Sequence, residues 1–226
     1  MSLEEPVIPP NFGGQNVSAF FTTKSCSSDL NIFLKIAGAE QSYIPIQKHS
    51  DKVVVLDHNL EPKIADAVIT NRQKLLIGIQ VADCVPILLY DNKKKVAAAV
   101  HAGWRGTVAA ILKNTVTAMT GRFYSSPENI FIAIGPSIKG CCYQVGPEVV
   151  EGVKRASGDG SYIIEKSSKH CVDLPAANKQ QALSLNIPEQ NIWISSECTF
   201  CMPEKYYSYR FAKSTTGRQY GLIGIL

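Results

Sequence analysis

The stretch 82–106, reading ADCVPILLYDNKKKVAAAVHAGWRG, constrains this chain more than any other, because it ties a cysteine to a histidine through local structure alone. Residues 85–90 and 96–100 are short apolar runs, and Asp91, Asn92 and three lysines divide them. Apolar runs separated by turn-forming residues predict a β-hairpin. A hairpin closed there brings its outer ends together. Cys84 and His101 then face one another across adjacent strands, either as two metal ligands or as a thiol and its base. His49, in QKHSDK, lies between two further extended segments, 43–47 and 53–56, and is the third candidate.

The strand predicted at 75–81 delivers the chain directly to Asp83 and Cys84. Beyond the hairpin the period changes: Val108, Ile111, Leu112, Val116 and Met119 recur mostly at three and four residues, which predicts one helix over 105–121. His101 therefore stands where a strand turns into a helix. Residues 1–14 carry three prolines and two glycines and predict an irregular lead-in. A short strand follows at 19–22, then a helix capped by Asp29 and ended by Gly38. Residues 65–70 alternate only weakly. A strand at 129–134 leads into the glycine-punctuated loop GPSIKGCCYQVG, then a helix at 147–156 and a turn at 158–160. Residues 162–165 and 171–172 are extended. Asp173 caps a helix running through 185, and strands follow at 192–195, 206–210 and 219–225.

Strands outnumber helices, and few strand-helix-strand units recur. The expected class is α+β, with mixed β-sheets covered by helices. No dinucleotide or P-loop glycine signature opens a helix, so those nucleotide folds are set aside.

With 226 residues, 45% of them hydrophobic, the chain can bury a substantial core, and it is read as one domain over 1–226. No run approaches the ~18 apolar residues needed to span a membrane. The acidic, proline-rich start lacks the pattern of a secretory signal, so a cytoplasmic location is expected. The net charge of +4 is slight and scattered, which disfavours nucleic-acid binding. Lys93, Lys94 and Lys95 read as a solvated hairpin tip that blunts an edge. Seven cysteines, an odd number without an export signal, point to metal binding or nucleophilic thiols rather than a disulfide framework.

Two imidazoles and one thiolate around zinc leave a fourth position open, as a catalytic site requires. Asp83, beside the thiolate, is a candidate proton carrier or an acceptor for a ligating imidazole. Alternatively Cys84 is itself a nucleophile with His101 as base, which describes a cysteine hydrolase or amidase. In a third alternative a structural zinc takes Cys141 or Cys198 as a closing ligand. Arg105, at the expected helix start, suits a phosphate or carboxylate as well as it suits a salt bridge. Trp104 is read as core, and His58 and His170 as surface or core residues. Cys198 and Cys201 have the CxxC spacing of a zinc knuckle or redox pair, but no second CxxC or HxxxH accompanies them, so a second metal site is disfavoured; Cys141 and Cys142 are candidates to lie near the pair, and packing is the default reading.

From about residue 46 onwards the chain resembles the YfiH-like family, also labelled laccase-domain or polyphenol oxidase and associated with purine nucleoside phosphorylase activity. The segments that carry the resemblance are QKHSDKVV, ADAVIT, ADCVPILL, HAGWRGT, IGPSIKGCCYQVG, VDLPAANKQQAL, CTFC and YYSYR. The resemblance implies zinc held by His49, Cys84 and His101, with copper possible. It implies phosphorolysis of adenosine, inosine, guanosine and methylthioadenosine, and some adenosine deamination. Catalytic roles then fall to Asp83, Cys84 and Arg105, and phosphate binding to Arg105 and Arg210. The implied fold is a four-layer α/β/β/α sandwich, and the partners are small molecules. Editing of peptidoglycan precursors and copper-dependent polyphenol oxidation are the family's alternative functions. The chain departs from the family pattern in three places. It lacks an early Asn-Arg pair, it has Ser50 where glycine is common, and Phe211 follows Arg210 where a second arginine is usual, with Arg218 as a substitute. Four histidines in the whole chain are too few for a self-contained multicopper oxidase.

Overall fold

The computed structural model describes residues 5–26, 29–166, 169–214 and 217–226. The first four residues of the expected lead-in and residues 215–216 of the TTGR segment lie outside that range. In chain order the elements are β1 (Val17–Phe21), α1 (Leu30–Ala37), β2 (Gln41–Tyr43), β3 (Val53–Val55), β4 (Ala67–Thr70), β5 (Leu75–Val81), β6 (Val85–Asp91), β7 (Val96–Ala102), α2 (Trp104–Val108) and α3 (Ile111–Phe123). They continue as β8 (Ile130–Ile134), β9 (Gln144–Val145), α4 (Pro147–Ser157), β10 (Ile163–Lys166), β11 (Lys169–Val172), α5 (Leu174–Leu183), β12 (Ile192–Ile194), α6 (Tyr209–Ala212) and β13 (Gln219–Ile225).

Two mixed sheets dominate, ordered β1-β13-β5-β2 and β12-β8-β6-β7-β4-β3, and a small sheet β10-β11-β9 stands beside them. The period of two along each strand builds the layers. In β6, Val85, Ile87 and Leu89 join Leu112, Val116 and Val153 of the helices, while Leu88 and Tyr90 face the other sheet. In β5, Leu75, Ile77, Ile79 and Val81 complete that inter-sheet core. Leu76 points the other way, onto Phe33 and Ala37 of α1. Three apolar cores therefore separate four layers: α1, the four-stranded sheet, the six-stranded sheet, and the helices α2 to α5. This is the α/β/β/α arrangement expected above.

The hairpin forms as predicted, with Pro86 opposite His101 and Val85 opposite Ala102. Its tip is closed by Asp91, whose Oδ1 accepts the N–H groups of Lys93 (2.8 Å) and Lys94 (2.9 Å). The caps are also as expected: Asp29 Oδ1 accepts from Asn31 N, and Asp173 Oδ1 from Ala176 N.

Three expectations are corrected. The helix over 105–121 is two helices, broken at Ala110, which has a left-handed φ of 57°. The carbonyl of Thr107 takes the N–H of Ala110 at 3.1 Å and the side-chain amide of Gln181 at 2.9 Å, and so ends the first helix early. The strand expected at 206–210 is instead a turn followed by α6, whose Phe211 N–H is capped by Ser208 Oγ. The strand expected at 43–47 stops at Tyr43, with one isolated bridge at Ile46. Pro45 has no N–H to give to a ladder, and the Gln47 side chain replaces backbone pairing, meeting the N–H and C=O of Gln80 at 2.8 Å each.

Candidate metal centre and substrate pocket

Asp66, which sequence reasoning missed, organises the site. It stands just before β4 with no exposed surface. Its carboxylate accepts the N–H groups of Lys48 (3.1 Å), His49 (2.9 Å) and Ser50 (2.6 Å), and the Ser50 hydroxyl at 2.6 Å. Its Oδ1 also lies 2.8 Å from His101 Nδ1. Its own backbone carbonyl accepts the His101 N–H at 2.8 Å. One carboxylate thus fixes both histidine segments. Because a carboxylate can only accept, His101 Nδ1 carries the hydrogen and Nε2 is the ring nitrogen left for the site. The acceptor role proposed for Asp83 towards a ligating imidazole therefore belongs to Asp66. The signal in the sequence was a single acid at the head of the apolar run ADAVIT.

The three ligand candidates converge. His49 Nε2 lies 3.8 Å from Cys84 Sγ, and the two imidazole centroids are 4.7 Å apart with planes inclined at 71°. The ligand atoms all lie within 4.8 Å of one another. Around zinc, bonds of about 2.0 to 2.3 Å place such atoms roughly 3.5 Å apart, so the set fits an ion after small adjustment. His49 holds a left-handed φ of 58°, and Asp83, beside Cys84, one of 79°. Two non-glycine residues in that region mark the strained backbone common at functional sites. Gly103 is needed for space, since a Cβ there would lie 2.9 Å from Cys84 Sγ and 3.2 Å from His49 Cδ2.

Electrostatics follow from this packing. Burial raises the Asp66 carboxyl, but hydrogen bonds from His101, Ser50 and Lys48 outweigh it and hold the group far below the ordinary carboxylate range. Burial would also raise Cys84, yet the charge of His101 and hydrogen bonds from both histidines bring it down to about 6. Burial would lower His101, but Cys84 and Asp66 together raise it to about 9. Without a metal, Cys84 and His101 therefore form a thiolate-imidazolium pair near neutral pH.

These residues open into a cavity of about 660 Å³, within the usual range of small-molecule sites. Asp83, Arg105, Arg210, Arg218, Tyr143 and Tyr209 line it, with Ile46, Val81, Ile138 and Leu174 as apolar wall. The Arg105 guanidinium lies 4.3 Å from the centroid of Trp104, and no carboxylate among the described residues pairs with it. Trp104, expected in the core, is a half-buried wall of the cavity. The helix that carries Arg105 in its first turn is only five residues long, so anion binding there rests on the arginines rather than on a long helix dipole. Arg210 reaches the Gln144 carbonyl at 3.0 Å, with its guanidinium 5.0 Å from the Tyr143 ring centroid. Asp83 accepts the Thr199 hydroxyl at 2.7 Å and the Arg210 backbone N–H at 2.6 Å.

Cys141 and Cys198 do not approach the trio as a closing ligand. They gather with Cys142 and Cys201 in a separate cluster, so the Cys141-Cys142 pair does lie beside the CxxC. His58 is exposed and His170 lies on β11, both apart from the site.

A profile of the family described as "Multi-copper polyphenol oxidoreductase laccase" matches residues 23–226. A purine nucleoside phosphorylase of Clostridium acetobutylicum is 39% identical over 179 residues, covering 78% of this chain and 74% of that one. An adenosine deaminase, RL5, from an unknown prokaryotic organism is 36% identical over 190 residues, covering 78% and 72%. Among solved structures, YlmD from Geobacillus stearothermophilus superposes with a TM-score of 0.87 at 25% identity, covering 99% of this chain and 98% of that one. No helix among the described residues is long and apolar enough to cross a membrane.

Proposed function

This chain belongs to the multi-copper polyphenol oxidoreductase laccase family, also called YfiH-like, and from that premise we propose that it is a zinc-dependent purine nucleoside phosphorylase with adenosine deaminase side activity. The observation that carries the reading is one cavity lined both by His49, Cys84 and His101 and by Arg105, Arg210 and Arg218. Relatives named for phosphorolysis and for deamination support it.

In phosphorolysis a phosphate oxygen bonds to C1′ of the ribose, the glycosidic C–N bond breaks, and the purine leaves with the electron pair and takes up a proton. Arg105 and Arg210 bind the dianion and offset its charge as it meets the cationic sugar. Tyr143 and Tyr209 hold the base, and the apolar wall limits competing water. Thr199 and the Arg210 N–H fix the orientation of Asp83, while each of its oxygens retains a lone pair for a proton from the substrate. In deamination Asp83 carries the proton from the attacking water to the departing ammonia. The trio would hold zinc, which when bound supplies a Lewis acid for a substrate oxygen or nitrogen. Copper at the same donors is chemically admissible, but only two imidazoles stand at the site, too few for a multicopper cluster.

The test incubates pure, metal-assayed protein with adenosine and phosphate and follows adenine, ribose 1-phosphate and inosine separately. Adenine and ribose 1-phosphate in equal amounts are expected, and inosine without phosphate reports deamination. None of these products at full zinc occupancy would overturn the reading.

The thiolate-imidazolium pair supports a second reading, a cysteine hydrolase or amidase with Cys84 as nucleophile and His101 as base. Amide hydrolysis that survives chelation and is abolished by alkylating Cys84 would favour it.

A further inference from the structure

Four cysteines from two distant loops meet outside the site just described. Cys141 and Cys142 lie in the loop between β8 and β9, and Cys198 and Cys201 in the turn after β12. Their sulfur atoms all fall within 4.8 Å of one another, with Cys201 Sγ 3.8 Å from Cys141 Sγ and 3.2 Å from Cys142 Sγ. None of the four is in a disulfide. Four thiolates bonded at about 2.3 Å to one tetrahedral ion lie about 3.8 Å apart, so the cluster already has nearly the dimensions of a closed four-sulfur metal site.

The surroundings suit an anionic centre. The Cys198 sulfur accepts backbone N–H groups from Phe200 and Cys201, and from Lys139 at 3.5 Å. In a CxxC turn, amides two and three residues after the first cysteine point back at its sulfur, which favours the thiolate that a metal requires. Four thiolates on a divalent ion carry a net double negative charge. Lys139 has a charge interaction with both Cys141 and Cys198 and offsets part of it.

We infer that Cys141, Cys142, Cys198 and Cys201 form a second, structural metal site for a soft divalent cation, zinc, in which all four positions are taken by sulfur. Sulfur ligands in this geometry select zinc or iron over harder ions. With no open position, the ion acts as a cross-link between loops. The first loop carries the cavity-wall residues Ile138 and Tyr143, and the second contacts the wall residue Asp83. Thr199, between the CxxC cysteines, donates to Asp83, and Tyr143 follows Cys142 and sits under Arg210. Backbone contacts already join the loops at the bridge between Ser137 and Cys198 and through the Lys139 N–H to the Cys198 sulfur. The metal thus fixes one wall of the pocket, whatever reaction the pocket performs.

The test uses full-length protein purified with reductant and without chelator, comparing wild type, His49→Ala/His101→Ala and Cys198→Ser/Cys201→Ser. The double histidine variant is expected to keep about one zinc per chain, released in step with titration of the cluster thiols by a mercurial reagent. The double cysteine variant loses that equivalent. Because the cysteine variant can fail to fold, the double histidine variant is also loaded with cobalt, where strong visible ligand-field bands and thiolate-to-cobalt charge transfer are expected. No retained zinc and no cobalt-thiolate bands would overturn the site. So would a Cys142–Cys201 disulfide in peptide maps of protein isolated anaerobically, since it removes two of the ligands. Neither result depends on nucleoside turnover, so this inference and the proposed activity fail separately.

Discussion

Both oxygens of Asp66 are occupied by donors from two segments that each carry a candidate ligand, so its loss is felt at both histidines. Asp66→Asn keeps the size but turns one acceptor into a donor that faces N–H groups. Metal affinity is expected to fall about 10–100-fold, read by competition with a chromophoric chelator, and stability by about 3 kcal/mol, read by urea unfolding. The pH dependence has a definite sign. The folded carboxyl sits below its unfolded value of about 3.9, so its stabilisation is complete above that value and drains away as pH falls. The gap between wild type and variant should therefore close on acidification below about pH 4. Ser50 adds a hydroxyl to the same carboxylate. Cys84 gives a second residue-scale prediction. In metal-free protein its alkylation, followed by peptide mapping, should titrate near 6 in wild type and move up towards an ordinary thiol in His101→Ala. An unchanged midpoint would show that His101 does not hold the thiolate. The pairing of Cys84 with His101 was legible from the hairpin spacing, but Asp66 was not. A carboxylate becomes a hub only when two remote segments converge on it.

At the scale of elements, the cavity is assembled by pieces too short for periodicity to register. The helix α2 spans five residues and α6 four, yet they carry Arg105 and Arg210. Sequence pattern merged α2 with α3 because the apolar face continues through both, and it could not show that Gln181 from another helix captures the Thr107 carbonyl. It made α6 a strand because aromatic residues favour strands locally, whereas the Ser208 cap and the Asp83 contact with the Arg210 N–H decide otherwise. The two arginines give separable outcomes. Arg105→Gln and Arg210→Gln should each raise KM for phosphate about tenfold or more, the loss of a charged hydrogen bond being worth ~1.5–3 kcal/mol, and leave metal content unchanged. Equal effects on phosphate-independent deamination would assign the arginines to the nucleoside instead.

In the whole molecule, the two sheets hold the site by sharing one core. The hairpin β6-β7 belongs to the six-stranded sheet, but Leu88 on β6 packs towards Ile77 and Ile79 of the other. Leu88→Ala should cost ~2–5 kcal/mol, measured as a lower denaturation midpoint with the slope unchanged. A changed slope would show that the sheets unfold separately. Strand alternation, the hairpin register and two helix caps are interactions between near neighbours in the chain, and the sequence by itself determined them: it set Cys84 opposite the end of β7 that carries His101. What only the tertiary structure decided is what lies far apart along the chain. Asp66 orients His101 and His49, Asp83 turns to Arg210, and Cys141 and Cys142 meet Cys198 and Cys201 across roughly sixty residues. The reason is physical: periodicity records which face of an element is buried, but not which remote polar group is waiting on the other side of it.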